Sequence, residues 1–147
     1  MKSTIIESLF LAAAAATLSL SPTANVSAHG ISASTGMPAT GGNTGCFFVG
    51  NGAVQNNCTS GQNFSVPLMV DSGGSKGATF SGKGVTCQLI GTDQLGQSFS
   101  FSTSKTISGS AVGTASTSVV TVATAGRLNL DCTINPSGQL ININYSN

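Results

Sequence analysis

The sequence predicts an all-β sandwich of about seven short strands, and three observations support this prediction. Apolar and polar residues alternate along several short stretches. Clusters of Gly, Pro, Asn and Ser separate those stretches at regular spacing, and no stretch has the apolar repeat of an amphipathic helix. Because successive side chains of a strand point to opposite faces, the alternation indicates strands with one covered face. Short strands with evenly spaced turns are typical of antiparallel sandwiches.

The first element in the chain, residues 1–28, has the pattern of a secretory signal peptide. Lys2 supplies the basic start, residues 9–20 are an apolar run too short to span a membrane, and Val26-Ser27-Ala28 is a small-residue cleavage site. We therefore predict a secreted, periplasmic or cell-surface protein whose mature chain begins at His29. Its segment 29–44 is rich in Gly, Ser and Thr and is expected to be a flexible arm, followed by a β-sandwich domain over 45–147.

The strands of that domain follow from composition and alternation. Residues 126–145 are the strongest case, because two alternating runs flank Asn135-Pro136-Ser137-Gly138, whose residues are typical of a turn, and we predict a closing antiparallel hairpin there. The other predicted strands are 46–49, 64–70, 84–90, 98–104 and 116–123, with 78–80 and 105–115 as weaker candidates. The inward-facing residues are expected to be Phe48, Val66, Leu68, Val85, Leu89, Phe99, Phe101, Val120, Val122, Leu128, Leu130, Ile134, Ile141 and Ile143.

All four cysteines lie after the signal peptide, which predicts two disulfides formed in an oxidising compartment. Of the three possible pairings we favour Cys46–Cys58, which closes a short loop, and Cys87–Cys132, which joins two inward strand positions. The second bond would bridge two sheets, so the predicted fold class is an immunoglobulin-like antiparallel sandwich. The likeness is one of architecture, because immunoglobulin domains add a buried Trp and this chain has none.

Charge is scarce, with only 6% of residues charged against about a quarter in typical domains. Nucleic acids and anionic membranes are bound through clustered Lys or Arg, which this chain lacks. A near-neutral surface rich in hydroxyl and amide groups suits a protein that associates with other molecules of a matrix. The same composition is also found in exported β-domains that do not associate.

The residues needed for enzyme chemistry are poorly supplied, and we predict no catalytic residue. The predicted mature chain has no Glu, and its acidic residues Asp71, Asp93 and Asp131 fall in turns or on the outward side of a strand. His29 is the only imidazole, and it stands at the predicted N-terminus rather than in a cleft.

Metal binding has two weak candidates, and no cofactor is implied. The α-amine and imidazole of an N-terminal His29 would chelate Cu(II), an arrangement similar to lytic polysaccharide monooxygenases and periplasmic copper proteins. Those families add a second His that this chain lacks. Calcium could bind through Asp71 or Asp93 with loop carbonyls, but no spaced acidic motif supports it.

One resemblance concerns the last strand, residues 139–147, where Ile141, Ile143 and Tyr145 alternate with polar residues and an aromatic lies near the end. This pattern resembles the closing strand of chaperone–usher pilin subunits, which are also exported, near-neutral and disulfide-bonded. The resemblance implies a non-enzymatic fimbrial or extracellular-matrix subunit. Such a subunit would assemble with itself or other surface proteins through sheet edges, with the 29–44 arm completing a neighbour.

Two alternatives remain open besides that structural role. The first is a secreted carbohydrate- or surface-binding module, although such modules usually expose Trp or Tyr, and here the only Tyr and most Phe residues are expected in the core. The second is a copper-binding protein that uses His29. We identify no small-molecule substrate, and membrane insertion of the mature chain is not expected.

Overall fold

The computed structural model describes residues 28–39 and 42–146, and these form an all-β protein with two short 3-10 turns, Ala33–Thr35 and Thr44–Cys46. Across these two ranges, no helix has the length and apolar character that crossing a membrane requires. The strands are β1 (Ala28–Ser32), β2 (Met37–Pro38), β3 (Phe47–Gly50), β4 (Ala53–Asn56), β5 (Gln62–Leu68), β6 (Gly74–Lys76), β7 (Ala78–Thr92), β8 (Phe99–Phe101), β9 (Lys105–Ile107), β10 (Gly113–Ser116), β11 (Val120–Val122) and β12 (Arg127–Ser146).

Two long antiparallel strands, β7 and β12, form the centre of the larger sheet. They pair along almost their whole length, from Arg127 opposite Thr92 to Tyr145 opposite Ala78. On its other side β12 pairs with β5, then with β4, and finally with β1. On the side away from β12, β7 pairs with β8, β9 and β10. Both sides of β12 are therefore hydrogen-bonded within the chain.

The predicted closing hairpin is wrong, because residues 126–145 do not fold back on themselves. Both halves of β12 continue in one direction along β7, and the pairing is only interrupted between Ile134 and Gln139. The Asn-Pro-Ser-Gly segment makes an irregularity in this long strand instead of a reversal. The same residue types fit a hairpin turn and an irregularity within one strand. Pairing with β7, which is distant in sequence, determines which of the two forms.

A single apolar core supports the predicted sandwich. It joins the inward face of the large sheet, including Phe64, Leu130 and Phe80, to Val120 and Val122 on β11 of a separate two-stranded sheet with β6. The all-β sandwich class is thus confirmed, although the described residues form twelve strands where about seven were expected. The immunoglobulin-like architecture is not supported.

Four of the expected core residues lie elsewhere. Phe48, Phe99 and Phe101 are 59%, 56% and 57% exposed, so these three rings face solvent. Ile141 is half-buried because a bulge between Leu140 and Asn142 turns Leu140 inward in its place. For Phe99 and Phe101 the alternation identified side chains that share a face, but the covered face was the opposite one, which carries Ser102.

Both predicted disulfides are present, Cys46–Cys58 and Cys87–Cys132. Cys87 and Cys132 stand directly opposite one another on β7 and β12, with Cα atoms 4.0 Å apart. This bond therefore links neighbouring strands of one sheet and does not bridge two sheets, as had been expected. It fixes the register of β7 against β12 beneath the outward face described below.

The segment predicted as a flexible arm is placed in the sheet where it is described. Strand β1 pairs with the end of β12, and Ala33 is completely buried in the core. The Ser32 hydroxyl donates to the Gly52 carbonyl oxygen at 2.6 Å, which joins this segment to the β3–β4 turn. The predicted signal peptide lies outside the described residues except for Ala28.

Candidate functional site

The outward face of β5, β12 and β7 carries mostly polar side chains. Strand alternation sends Leu128, Leu130 and Cys132 into the core, so the residues between them point outward. The register aligns three such rows across the strands. These rows are Asn63–Thr133–Thr86, Ser65–Asp131–Gln88 and Pro67–Asn129–Ile90.

Hydrogen bonds hold the polar side chains of this face in place. The Ser65 hydroxyl donates to Asp131 Oδ1 at 2.5 Å, and the Thr133 hydroxyl donates to Asn63 Oδ1 at 3.0 Å. Gln88 Nε2 donates to the Ser102 carbonyl oxygen at 2.6 Å. Because a carboxylate offers about four acceptor positions, Asp131 can accept further donors while it is held by Ser65.

Two cavities lie on this face and meet at Asp131. One, of about 380 Å³, extends over Thr86 and Gln88 toward Ser104, and the other, of about 360 Å³, extends over Ser65 and Pro67 toward Met37. Both are lined by Asp131 and Ala39, so they form one trough that crosses the strands. We call it the cross-strand trough. From β2 to the β8 and β9 edge it crosses four strand spacings, roughly 19 Å.

Exposed apolar side chains border the trough at both ends. At one end Phe101 stands opposite Ile90, which lines the trough. Phe99 and Phe101 line neither cavity themselves, and their rings are stacked with centroids 5.9 Å apart and an interplanar angle of 16°. Met37, at the other end, is 59% exposed. A polar floor between exposed aromatic and apolar groups can bind a ligand that has both hydroxyl groups and apolar faces.

The comparisons with known proteins concern the fold. No protein-family model and no curated protein sequence matches the chain. A solved structure, the C-terminal family 6 carbohydrate-binding module of LamC, a marine laminarinase from Zobellia galactanivorans, matches with a TM-score of 0.51 and 14% identity. The match covers 82% of this chain and all of that module. The two share a β-sandwich fold.

Two further matches are family 29 carbohydrate-binding modules, each with a TM-score of 0.42. One is 14% identical over 82% of this chain and 90% of its own. The other was solved in complex with cellulohexaose and is 15% identical over 83% of this chain and 93% of its own.

The match to the family 6 module contradicts the resemblance to pilin subunits and the fimbrial role that it implied, because the solved structure that shares this fold is a carbohydrate-binding module. The geometry of β12 agrees with this correction. Ile143 and Tyr145, expected to serve assembly, are 0% and 5% exposed, and Ile141 is half-buried. The last strand is enclosed by β7 and β1, so it offers no open edge to a neighbour.

The residues considered for metal binding or catalysis do not converge. His29 lies on β1 with its ring 5.6 Å from that of Tyr145, far along the sheet from Asp131. Within residues 28–39 and 42–146, no group of three His, Cys, Asp or Glu side chains could hold a metal ion. The copper hypothesis stays a prediction.

Sequence reasoning placed Asp131 on the outward side correctly but missed the rest of the site. The pattern that could have identified the exposed aromatic residues is in residues 98–104, where Phe alternates with Ser. We assigned the phenylalanines to the core, whereas Ser102 is the residue turned inward, 3% exposed, with its hydroxyl accepting from the Leu89 N–H at 2.8 Å. A serine that satisfies a buried backbone group is as acceptable inside a sheet as an apolar residue.

Proposed function

We propose that this chain is a secreted, non-catalytic carbohydrate-binding module whose ligand lies in the cross-strand trough. The observation that carries the proposal is the pairing of an oriented carboxylate and amides with two stacked, exposed phenylalanine rings. A sugar has hydroxyl groups that need such hydrogen-bonding partners and a C–H face that packs on an aromatic ring. The fold shared with a family 6 module adds support.

The compartment and the chemistry of the molecule fit this role. Two disulfides are typical of proteins that fold outside the cytosol, where extracellular glycans are found. The floor of the trough has one carboxylate, Asp131, and no imidazole among the residues that line it. One carboxylate without a partner acid or base suits binding and does not suit glycoside hydrolysis, which needs two.

The test is a binding assay on the disulfide-bonded mature chain with laminarin, hydroxyethyl cellulose, dextran, mannan and xylan, by affinity electrophoresis followed by calorimetry. We expect binding to at least one of these polymers, and a loss of about tenfold or more in affinity for the double variant Phe99→Ala/Phe101→Ala. The thermal midpoint should change little, because both rings are more than half exposed.

Phe48→Ala is the matched control, because Phe48 is equally exposed but lies on β3, which is separated by β4 from the other half of β12. This variant should bind as the wild type does. Absence of binding to every polymer, or equal losses in the Phe48 and Phe99/Phe101 variants, would overturn the proposal.

A further inference from the structure

The charge distribution in the trough bears on which polymers could enter it. Asp131 stands at the point where the two cavities meet, so a chain that occupies both must pass over its carboxylate. No Lys or Arg lines either cavity. An anionic polymer would therefore bring its charges next to a fixed negative charge with no cation on the floor to offset it, and juxtaposed like charges are unfavourable.

The contacts of Asp131 keep that charge in place. Asp131 is half-buried and its carboxylate accepts a hydrogen bond from the Ser65 hydroxyl, so the side chain cannot turn away from the trough without losing this hydrogen bond. Asp131 also lies between Ser65 on β5 and Gln88 on β7 in the sheet register, one residue from the Cys87–Cys132 bond. The carboxylate thus lies next to a disulfide that cross-links two strands of the sheet.

We infer that Asp131 is a specificity-determining residue that admits uncharged polysaccharides and excludes polymers carrying carboxylate or sulfate groups. This inference rests on the proposed function and names the class of ligand for the same trough. With a neutral chain the carboxylate accepts hydrogen bonds from sugar hydroxyls. With a polyanion it opposes entry, and the opposition weakens as salt screens the charges.

The experiment uses matched pairs of polymers that differ in charge: laminarin with carboxymethyl laminarin, hydroxyethyl cellulose with carboxymethyl cellulose, and dextran with dextran sulfate. At an ionic strength of about 0.01 M, the wild type should bind the neutral member of a recognised pair at least about tenfold more tightly than the charged member. In Asp131→Asn, which keeps the shape and one acceptor oxygen, this ratio should fall to within about threefold.

Ser110→Lys is the control for net charge, because it raises the net charge by the same one unit as Asp131→Asn. Ser110 lies on an exposed loop that lines neither cavity of the trough, so the preference should stay as in the wild type.

Binding of both members of a pair with equal affinity by the wild type, or an unchanged ratio in Asp131→Asn, would overturn the inference while leaving carbohydrate binding intact. Binding to no polymer in either charge state would instead refute the proposed function, and the inference with it. The thermal midpoint of Asp131→Asn is measured in parallel, and the ratio of affinities within one variant is independent of the fraction folded.

Discussion

At the scale of single residues, the carboxylate of Asp93 stabilises the loop that follows β7. Asp93 ends the long strand β7 and begins the 93–98 loop, where its Oδ1 accepts the Gln97 N–H at 2.8 Å and its Oδ2 accepts the Ser98 N–H at 3.0 Å. These hydrogen bonds lower the pKa of Asp93 below its ordinary value of 3.8, and the hydrogen bond from the Gln97 N–H has the largest effect. Together with two backbone hydrogen bonds, from the Asp93 N–H to the Ser98 carbonyl oxygen at 3.1 Å and from the Gly96 N–H to the Asp93 carbonyl oxygen at 3.2 Å, this side chain holds the loop that leads to Phe99.

The lowered pKa predicts how stability depends on pH. Because the folded state holds the Asp93 proton less tightly than the unfolded state, the ionised side chain stabilises the fold above the ordinary pKa of 3.8. That contribution is lost as the pH falls through the lower folded pKa. We expect Asp93→Asn to be less stable than the wild type near neutral pH, and the difference to shrink in acid. Urea unfolding from neutral pH to about pH 2 measures this, and parallel stability curves for the two proteins would contradict it.

The sequence predicted which side chains of a strand share a face, but it did not predict which of the two faces would be covered by the core. Alternation showed that Phe99 and Phe101 share a side and that the serines between them share the other. Which side is covered depends on β7 and β11, which approach from elsewhere in the chain. Asp131 was assigned correctly because its neighbours Leu130 and Cys132 are apolar, and burying an ionised carboxylate would have been costly.

At the scale of elements, the junction between the two halves of the β7–β12 pair is set by two glycines. Gly84 has a φ of +56°, and the backbone at Gly138 approaches it so closely that a Cβ on Gly138 would lie 2.5 Å from the Gly84 carbonyl oxygen. Buried residues change parity here, from Val85 and Leu89 on one side to Ala78 and Phe80 on the other. The irregularity thus keeps apolar side chains on the core through both halves.

We expect Gly138→Ala to destabilise the protein by about 1–3 kcal/mol, because the atoms that a Cβ would meet belong to backbone and cannot turn aside. Ser137→Gly, one residue earlier, is the matched control. Ser137 already has a φ of +59°, so glycine there should be neutral or slightly stabilising. Denaturant midpoints of the two variants give the comparison, and a wild-type midpoint for Gly138→Ala would show that the junction has room to relax.

The same junction explains why a strong hairpin prediction failed. Pro136 and Gly138 fit a turn as well as a bulge, and the alternating runs on either side fit two strands in either arrangement. Residues 126–145 form one long strand and not a hairpin because they pair with residues 78–92, about fifty positions away. A local sequence pattern carries no information about that pairing. The cysteines were more informative, because the Cys87–Cys132 pairing was predicted correctly, although the bond joins neighbouring strands of one sheet and not two sheets.

At the scale of the whole molecule, the N-terminal segment connects stability to the proposed site. Strand β1 encloses the end of β12, Ala33 enters the core, and Met37, Pro38 and Ala39 then form one wall of the cross-strand trough. Composition suggested a flexible arm over 29–44, since Gly, Ser and Thr dominate it. Such residues join a sheet when other strands supply the hydrogen-bonding partners, and within residues 28–38 β12 and β5 do so.

This arrangement predicts that removal of residues 29–39 costs both stability and binding. Loss of the Ala33 and Ile31 contacts should lower the free energy of unfolding on the order of 3 kcal/mol, and the trough should lose affinity for any polymer that the full chain binds. Hydrogen exchange on the intact protein gives an independent measure. Amides of residues 30–32 should exchange on the order of 100-fold more slowly than those of the exposed 108–112 loop. Equal exchange rates, with a deletion variant as stable as the full chain, would instead establish a flexible arm and restrict the folded module to residues 45–147.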